Sequence, residues 1–172
     1  MNLPIPETFN SLWANLPNRV RIAETTVRAW FGREIADARF YYTRFRAENG
    51  DALNQFRFGM LFETGHRVSQ SDYEAHKWFL RAAFQGLVDA QAKVSEYHLL
   101  GRGVPRNNEE AFRWCRKAAE AGHAPSQAQL ARMYAHGIGV ERNPKEAKKW
   151  VGKAATQSIQ IPKALQVELT AC

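Results

Sequence analysis

Cysteine and long apolar runs are both scarce in this chain of 172 residues, and each scarcity excludes a class of protein. The two cysteines, Cys115 and Cys172, are too few for a disulfide framework and lack metal-ligand spacing, in agreement with a reducing compartment. No run of about 18 apolar residues occurs, which excludes a membrane-spanning helix. The N-terminal segment has prolines and no early lysine or arginine, so it is a poor secretory signal. We therefore expect a cytoplasmic protein.

Motifs for catalysis and cofactor binding are also missing from the sequence. None of the five histidines belongs to a His-Glu-x-x-His arrangement, and there is no Gly-x-Ser-x-Gly elbow or phosphate-binding loop. His98 occupies a repeat position that Phe62 and Tyr134 fill in the other copies, which favours packing over catalysis. We predict a protein that is not an enzyme, with no metal and no small-molecule cofactor.

What the chain does contain is a repeat with a period of 36 residues. The positions that keep one residue type in all three copies include Gln55, Gln91, Gln127; Gly65, Gly101, Gly137; Val68, Val104, Val140; Ala75, Ala111, Ala147; Trp78, Trp114, Trp150; Ala82, Ala118, Ala154; and Ala83, Ala119, Ala155. Repeats of this length are typical of solenoids, in which each unit buries its apolar face on the next.

Each repeat begins with a predicted helix. In the first copy Phe58, Leu61 and Phe62 are spaced at i, i+3 and i+4, which places them on one helix face. The small residue Gly59 beside them allows a neighbouring helix to approach closely. The repeated glycine that follows is suited to a left-handed helix cap. The three predicted helices cover about Asp51–Thr64, Leu87–Leu100 and Ser126–His136.

A second helix in each repeat is predicted by its capping box. Ser71, Asn107 and Asn143 each stand three residues before a glutamate, an arrangement that satisfies free N–H groups where a helix starts. Pro144 suits the first helical position, because the N–H group there has no partner within the helix. Alanine and tryptophan then recur with helical spacing, which makes tryptophan the large buried side chain of each repeat.

The order Ala-Gln, then Gly-x-Gly-Val, then Ala-x-x-Trp-x-x-x-Ala-Ala resembles that of the Sel1-like repeats of the tetratricopeptide-like superfamily. The second copy fits best, whereas in the first Asn54 replaces the early alanine and Arg67 replaces the second glycine. The resemblance implies an all-α, right-handed α-α superhelix, or solenoid, of about three helix pairs with helical caps at both ends. It also implies a scaffold or adaptor in a protein complex, without a shared catalytic site.

The repeat boundaries divide the chain into five segments. We predict an N-terminal helical cap with a decayed repeat, three repeats and a C-terminal capping helix, over residues 1–49, 50–85, 86–121, 122–157 and 158–172. Within the N-terminal cap, residues 24–48 are helical in character. There Tyr42 takes the tryptophan position and Ala47 an alanine position.

Charge is the second informative feature, because 24 lysines and arginines against 17 acidic residues give a net charge of +7. Tyr41 and Tyr42 lie among arginines and would suit stacking on bases, but their helical spacing favours packing in the core of the cap. A second dense stretch is interpreted as a solvated helix face, with an acidic partner and nucleic acid as alternatives, and comprises Lys145, Lys148, Lys149 and Lys153.

A binding surface is expected on the concave side, which the first helices line in helix-pair solenoids. Arg57, Lys93 and Arg132 are the predicted charge contacts for an acidic peptide or helix. The repeated glutamine is expected either to bind this partner or to bond the backbone of a neighbouring repeat. The full candidate set is Arg57, Met60, Gln91, Lys93, Glu96, Gln129 and Arg132.

Two function classes follow from these features. The first is a non-catalytic protein–protein interaction module, namely a small bacterial-type adaptor, regulator, or immunity or inhibitor protein. The alternative is a basic helical-repeat protein associated with nucleic acid, a less favoured partner. The two differ in salt dependence, because binding to phosphates weakens steeply as salt rises.

Overall fold

The computed structural model describes residues 38–157, which form seven α-helices and, over that range, no β-strand. The helix α1 covers residues 38–48 of this range. The others are α2 (Ala52–Thr64), α3 (Asp72–Phe84), α4 (Val88–Leu100), α5 (Asn108–Glu120), α6 (Ala124–His136) and α7 (Pro144–Ala155). The predictions for residues 1–37 and 158–172 lie outside the described range.

The first helices of the three repeats, α2, α4 and α6, end as the sequence predicts. Gly65, Gly101 and Gly137 have φ angles of 71°, 69° and 69°, and each donates its N–H group to a carbonyl four residues earlier. Such left-handed caps favour glycine because a β-carbon would clash there. The predicted start of α6 at Ser126 was wrong by two residues, since His123 caps a helix that begins at Ala124.

The second helices, α3, α5 and α7, begin where their capping boxes predict. The hydroxyl of Ser71 accepts a hydrogen bond from the N–H of Glu74 at 3.2 Å. Asn107 and Asn143 cap α5 and α7 in the same way, and Pro144 is the first residue of α7. Each cap satisfies donors that the helix itself leaves free, so it fixes the start of the helix.

The core lies between consecutive helices, because each helix from α2 onward packs chiefly on the helices before and after it. Trp78, Trp114 and Trp150 are buried, as predicted. Trp78 packs edge-on against Phe58 with ring centroids 5.0 Å apart. Each indole also carries a cation over its outer face, as with Lys117 at 4.1 Å from the Trp114 centroid. These contacts bury large apolar surfaces and so stabilise the array.

The repeated glutamine serves the fold. The side-chain amides of Gln55, Gln91 and Gln127 donate to the carbonyls of Ala47, Ala83 and Ala119 at 3.2, 3.3 and 3.2 Å. Each bond joins the start of one repeat to the end of the helix before it. Of the two expected roles for this position, the structure therefore shows the bond to a neighbouring backbone.

The second glycine of each Gly-x-Gly-Val turn marks a close approach between repeats. Gly103 and Gly139 have φ angles of 64° and 69°, and a β-carbon at either would collide with backbone at the start of the preceding second helix. In the first copy Arg67 takes the same left-handed conformation, with φ 64°. The glycine is therefore required by packing as well as by backbone conformation.

The N-terminal cap differs from expectation at its aromatic residues. Ala47 is buried, as its alanine position predicts. Tyr41 and Tyr42 are 60% and 56% exposed, so their predicted place in the cap core was wrong. Phe40 packs there instead, with its ring centroid 6.0 Å from that of Phe58. The core-facing residue of α1 thus lies one or two positions earlier in the sequence than the predicted ones.

Candidate functional site

A groove of about 710 Å³ runs along the first helices of the second and third repeats. We call it the α4–α6 groove. It is lined by α4, α6, the loops beside them, Cys115 of α5 and Phe56 of α2. The residues that line it include Phe56, Asp89, Lys93, Glu96, Leu99, Leu100, Arg106, Cys115, His123, Pro125, Ser126, Gln129, Arg132 and Ile138.

The groove has an apolar component built from both repeats. Leu99 and Ile138 pack partly buried on the core of the third repeat, and Leu100 is 62% exposed. Together with Phe56 and Pro125 they supply the apolar part of the lining. An exposed leucine in such a lining favours contact with another apolar surface.

The thiol of Cys115 also reaches the groove, but its chemistry is that of a buried side chain. Its Sγ atom donates to the carbonyl of Ser126 at 3.3 Å. Burial raises the pKa of the thiol to about 12, so it stays protonated at neutral pH. A protonated, buried thiol is a poor nucleophile, and Cys115 is therefore a packing residue.

Lys93 lies in the groove with its charge already matched. Its Nζ atom lies 3.0 Å from Oε1 of Glu63 and 3.4 Å from Oε2 of Glu96. Glu63 is largely buried, with 11% of its side chain exposed, and it also pairs with Arg102 at 3.1 Å. Since Lys93 is held by two carboxylates, it is a weaker attraction for an acidic partner than the sequence predicts.

Two arginines at the groove carry charge that no described carboxylate neutralises. Arg132 is exposed and forms no ion pair with residues of the described range. Arg106 is exposed as well, and its only polar side-chain contact in that range is a long hydrogen bond of 3.4 Å to Asn108. Guanidinium groups in this state are available to bind a carboxylate in bidentate fashion.

Acidic side chains lie on the α4 side of the same groove. Asp89 is 65% exposed and approaches the His123 ring at 3.8 Å. Glu96 is 44% exposed and contacts Lys93. The groove therefore has both signs of charge, with carboxylates on α4 and guanidinium groups at Arg106 and on α6.

The candidate residues divide into three groups in the structure. Four of them line the α4–α6 groove, and these are Lys93, Glu96, Gln129 and Arg132. Arg57 and Met60 lie on α2, outside its lining, where Arg57 is exposed and Met60 packs partly buried on the core. Gln91 is buried and bonds Ala83, so it belongs to the core.

Sequence reasoning missed Asp89, Leu100 and Arg106. The first two could have been predicted, because Asp89 lies four residues before Lys93 and Leu100 lies four residues after Glu96, which places them on the same face of α4. Arg106 lies in the loop between α4 and α5, where helical periodicity carries no information.

Within residues 38–157 no helix has the length and apolar character that a membrane span needs. No group of three or more histidine, cysteine, aspartate or glutamate side chains within residues 38–157 is placed to hold a metal ion.

The known proteins to which this chain is similar are also repeat proteins. The model of the Sel1 repeat family matches residues 55–87, 88–123 and 124–158. The crystal structure of a Sel1 repeat protein from Oxalobacter formigenes is 36% identical, with a TM-score of 0.68, and the similarity covers 74% of this chain and 96% of that chain.

A second solved structure is similar over the same fold. It is that of c5321, a protective antigen present in uropathogenic Escherichia coli strains displaying an SLR fold. It is 32% identical with a TM-score of 0.68, and the similarity covers 70% of this chain and 26% of that chain. No curated protein matched the sequence.

Proposed function

This chain belongs to the Sel1 repeat family, and from that premise we propose that it binds an amphipathic segment of another protein in the α4–α6 groove. Sel1 repeats are generally protein-interaction modules. The observation that carries the proposal is the combination of an apolar lining with two arginines that have no carboxylate partner in the described range. The segment would place apolar side chains on the lining and carboxylates against the arginines.

The shape and lining of the groove support a helical or extended segment as the occupant. A volume of about 710 Å³ accommodates several side chains of a peptide, fewer than a folded domain would present. Leu99, Leu100 and Ile138 suit the apolar residues of an amphipathic helix at i, i+3 and i+4. Burial of these contacts would supply affinity, because each buried apolar side chain contributes about 1.5–3 kcal/mol.

The charges of the groove support a defined orientation of that segment. Carboxylates of the partner would pair with Arg106 and Arg132, and a basic residue of the partner would face Asp89 or Glu96 on α4. Complementary charges of this kind raise the association rate and fix register more than they raise affinity. Lys93 contributes little to this recognition, because Glu63 and Glu96 already hold it.

On this basis we assign the protein a non-catalytic role as an adaptor, regulator or inhibitor of its partner. The low cysteine content of the chain supports a reducing, cytoplasmic location.

A peptide-display selection tests the proposal directly. Random peptides selected on the wild-type protein should be enriched in acidic amphipathic sequences, and the best peptide should lose about tenfold or more affinity for Arg132→Glu. Lys148→Glu is the matched control, because it reverses an exposed charge on α7 outside the groove. Equal affinity for both variants would refute the groove as the binding site.

The same assay addresses the nucleic-acid alternative. A short single-stranded oligonucleotide serves as the second probe, measured at two salt concentrations. We expect the peptide complex to persist at the higher salt and the oligonucleotide signal to be weak at both. Tight oligonucleotide binding that falls steeply with salt would favour the alternative instead.

A further inference from the structure

Two histidine rings meet in the contact between the first and second repeats. His76 on α3 and His98 on α4 pack edge to face, with ring centroids 5.1 Å apart and an interplanar angle of 88°. Nε2 of His76 and Nδ1 of His98 are buried and have no hydrogen-bond partner. Neither the fold nor the proposed binding function requires an ionisable group at this position.

The next contact along the array shows that the position accepts residues that do not titrate near neutral pH. One period later the same two positions hold Phe112 and Tyr134, which pack edge to face at 5.3 Å and 87°. The two contacts share a geometry and differ in chemistry. A phenyl ring and a phenol gain no charge on mild acidification, whereas two imidazoles do.

From this geometry we infer that the His76–His98 contact is a proton-sensitive joint, which loosens the packing of α3 on α4 in mildly acidic solution. A proton on either ring places a charge in an aromatic, largely desolvated site and next to another imidazole. Neither buried nitrogen has an acceptor that would stabilise the added N–H group. The Phe112–Tyr134 contact would stay closed under the same conditions.

The groups around the pair set the strength of the effect. Tyr97 on α4 stacks on His76 with centroids 6.0 Å apart, and the guanidinium of Arg102 lies 4.7 Å from the centre of the same tyrosine ring. The guanidinium charge disfavours a further cation nearby, whereas the tyrosine ring itself would attract one. Glu110 on α5 acts in the opposite direction, since its charge raises the pKa of His98.

The balance of these effects agrees with the inference. Burial, and to a smaller extent the neighbouring His98, lowers the pKa of His76 to about 4, and burial lowers the pKa of His98. Because the folded pKa lies below the unfolded value near 6.5, the unfolded state binds more protons between these two values. The stability supplied by the neutral rings is complete above about pH 6.5 and is lost as the pH falls toward 4.

The joint also offers a route to regulation of the α4–α6 groove, and this step rests on the proposed function. α4 carries His98 together with Lys93 and Glu96 of the groove lining. A change in how α4 packs on α3 would move these groove residues relative to α2. Peptide affinity of the wild type should therefore fall as the pH is lowered from 7.5 toward 4, where His76 gains its proton, and it should fall less in a variant without the two imidazoles.

The decisive variant is His76→Phe combined with His98→Tyr, which copies the pair from the next contact. Urea unfolding is measured at pH 7.5, 6.5, 5.5 and 5.0 for the wild type and this variant. Between pH 7.5 and 5.0 the unfolding equilibrium constant of the wild type should rise on the order of tenfold more than that of the variant. Parallel pH profiles would overturn the inference.

Two further measurements keep the test independent of folding defects and of the binding proposal. If the double variant fails to fold, His98→Phe alone, which copies Phe62, should reduce the pH dependence in part, and an unchanged profile would count against the joint. Amide exchange at pH 5.5, corrected for intrinsic rates, should quicken in α3 and α4 more than in α5 and α6. Unfolding and exchange need no partner, so their outcome stands even if no peptide binds.

Discussion

At the scale of single residues, the repeats differ most where side chains of adjacent repeats meet. Between the first and second repeats, Arg102 binds Asp72 at 2.7 Å and Glu63 at 3.1 Å. One period later the positions of Glu63 and Arg102 hold Leu99 and Ile138, which pack on an apolar core. A charged pair in one copy thus corresponds to an apolar pair in the next, which explains why neither position kept a constant residue type.

Replacement of Arg102 by isoleucine should destabilise the protein by about 1–2 kcal/mol, because it leaves the largely buried carboxylate of Glu63 with fewer partners. Adding Glu63→Leu should recover part of that loss, since the double variant copies the Leu99–Ile138 pair. Urea unfolding of the two single variants and the double variant measures the coupling. Strictly additive losses would show that the two side chains act independently.

A second residue-scale prediction concerns the repeated glutamine. The side-chain oxygens of Gln55 and Gln127 accept hydrogen bonds from the side-chain amides of Gln85 and Gln157, at 2.7 and 3.1 Å. The equivalent residue in the middle copy is Ala121, and the Gln91 oxygen is buried without a partner.

Ala121→Gln should therefore stabilise the protein by about 0.5–1.5 kcal/mol, the usual net value of a hydrogen bond, by supplying the missing donor. Gln157→Ala is the converse control and should destabilise it by a similar amount. Thermal and urea unfolding check both changes. If Ala121→Gln leaves the stability unchanged while Gln157→Ala lowers it, a glutamine at position 121 does not make the hydrogen bond that Gln85 and Gln157 make in the other repeats.

At the scale of elements, most of the fold could be predicted because helix starts and ends have local causes. The capping residues of α3, α5 and α7 and the glycine ends of α2, α4 and α6 were all placed correctly, since each depends on a hydrogen bond or a φ angle a few residues away. The start of α6 was misplaced because His123 is an uncommon cap. The exposed side of α1 was misjudged because burial depends on packing partners that helical spacing alone does not reveal.

The second glycine of each turn allows adjacent repeats to pack closely, and a substitution there tests that contact. Gly139→Ala should destabilise the protein by more than about 2 kcal/mol, because it combines a strained left-handed φ with a collision against the backbone of Asn108. Gly152→Ala is the matched control, since it lies within α7 with open space around it. The control should gain about 0.5–1 kcal/mol of stability. Comparable effects of the two changes in urea unfolding would show that the turn does not hold adjacent repeats together.

At the scale of the whole molecule, the sequence predicted an array of helix pairs and a binding surface on its first helices, but it could not predict the charges there. Residues at equivalent positions of successive repeats lie on the same face of their respective helices. The 36-residue period therefore predicted correctly that Lys93, Gln129 and Arg132 lie along one surface. Ion pairing between residues of different repeats depends on their distance in three dimensions, which the period does not give. Glu63 neutralises Lys93 from thirty residues away in the sequence, and periodicity gives no indication of that contact.

The proposed occupant of the α4–α6 groove is an acidic amphipathic segment of a partner protein. The most direct test is to titrate the isotope-labelled protein with the selected peptide and to map which backbone amides change their NMR chemical shifts. If the segment binds in this groove, the largest changes will lie in α4, in α6 and in the loop around Arg106, and they will vanish in the Arg132→Glu variant. Changes concentrated on the outer faces of α3, α5 and α7 would contradict it.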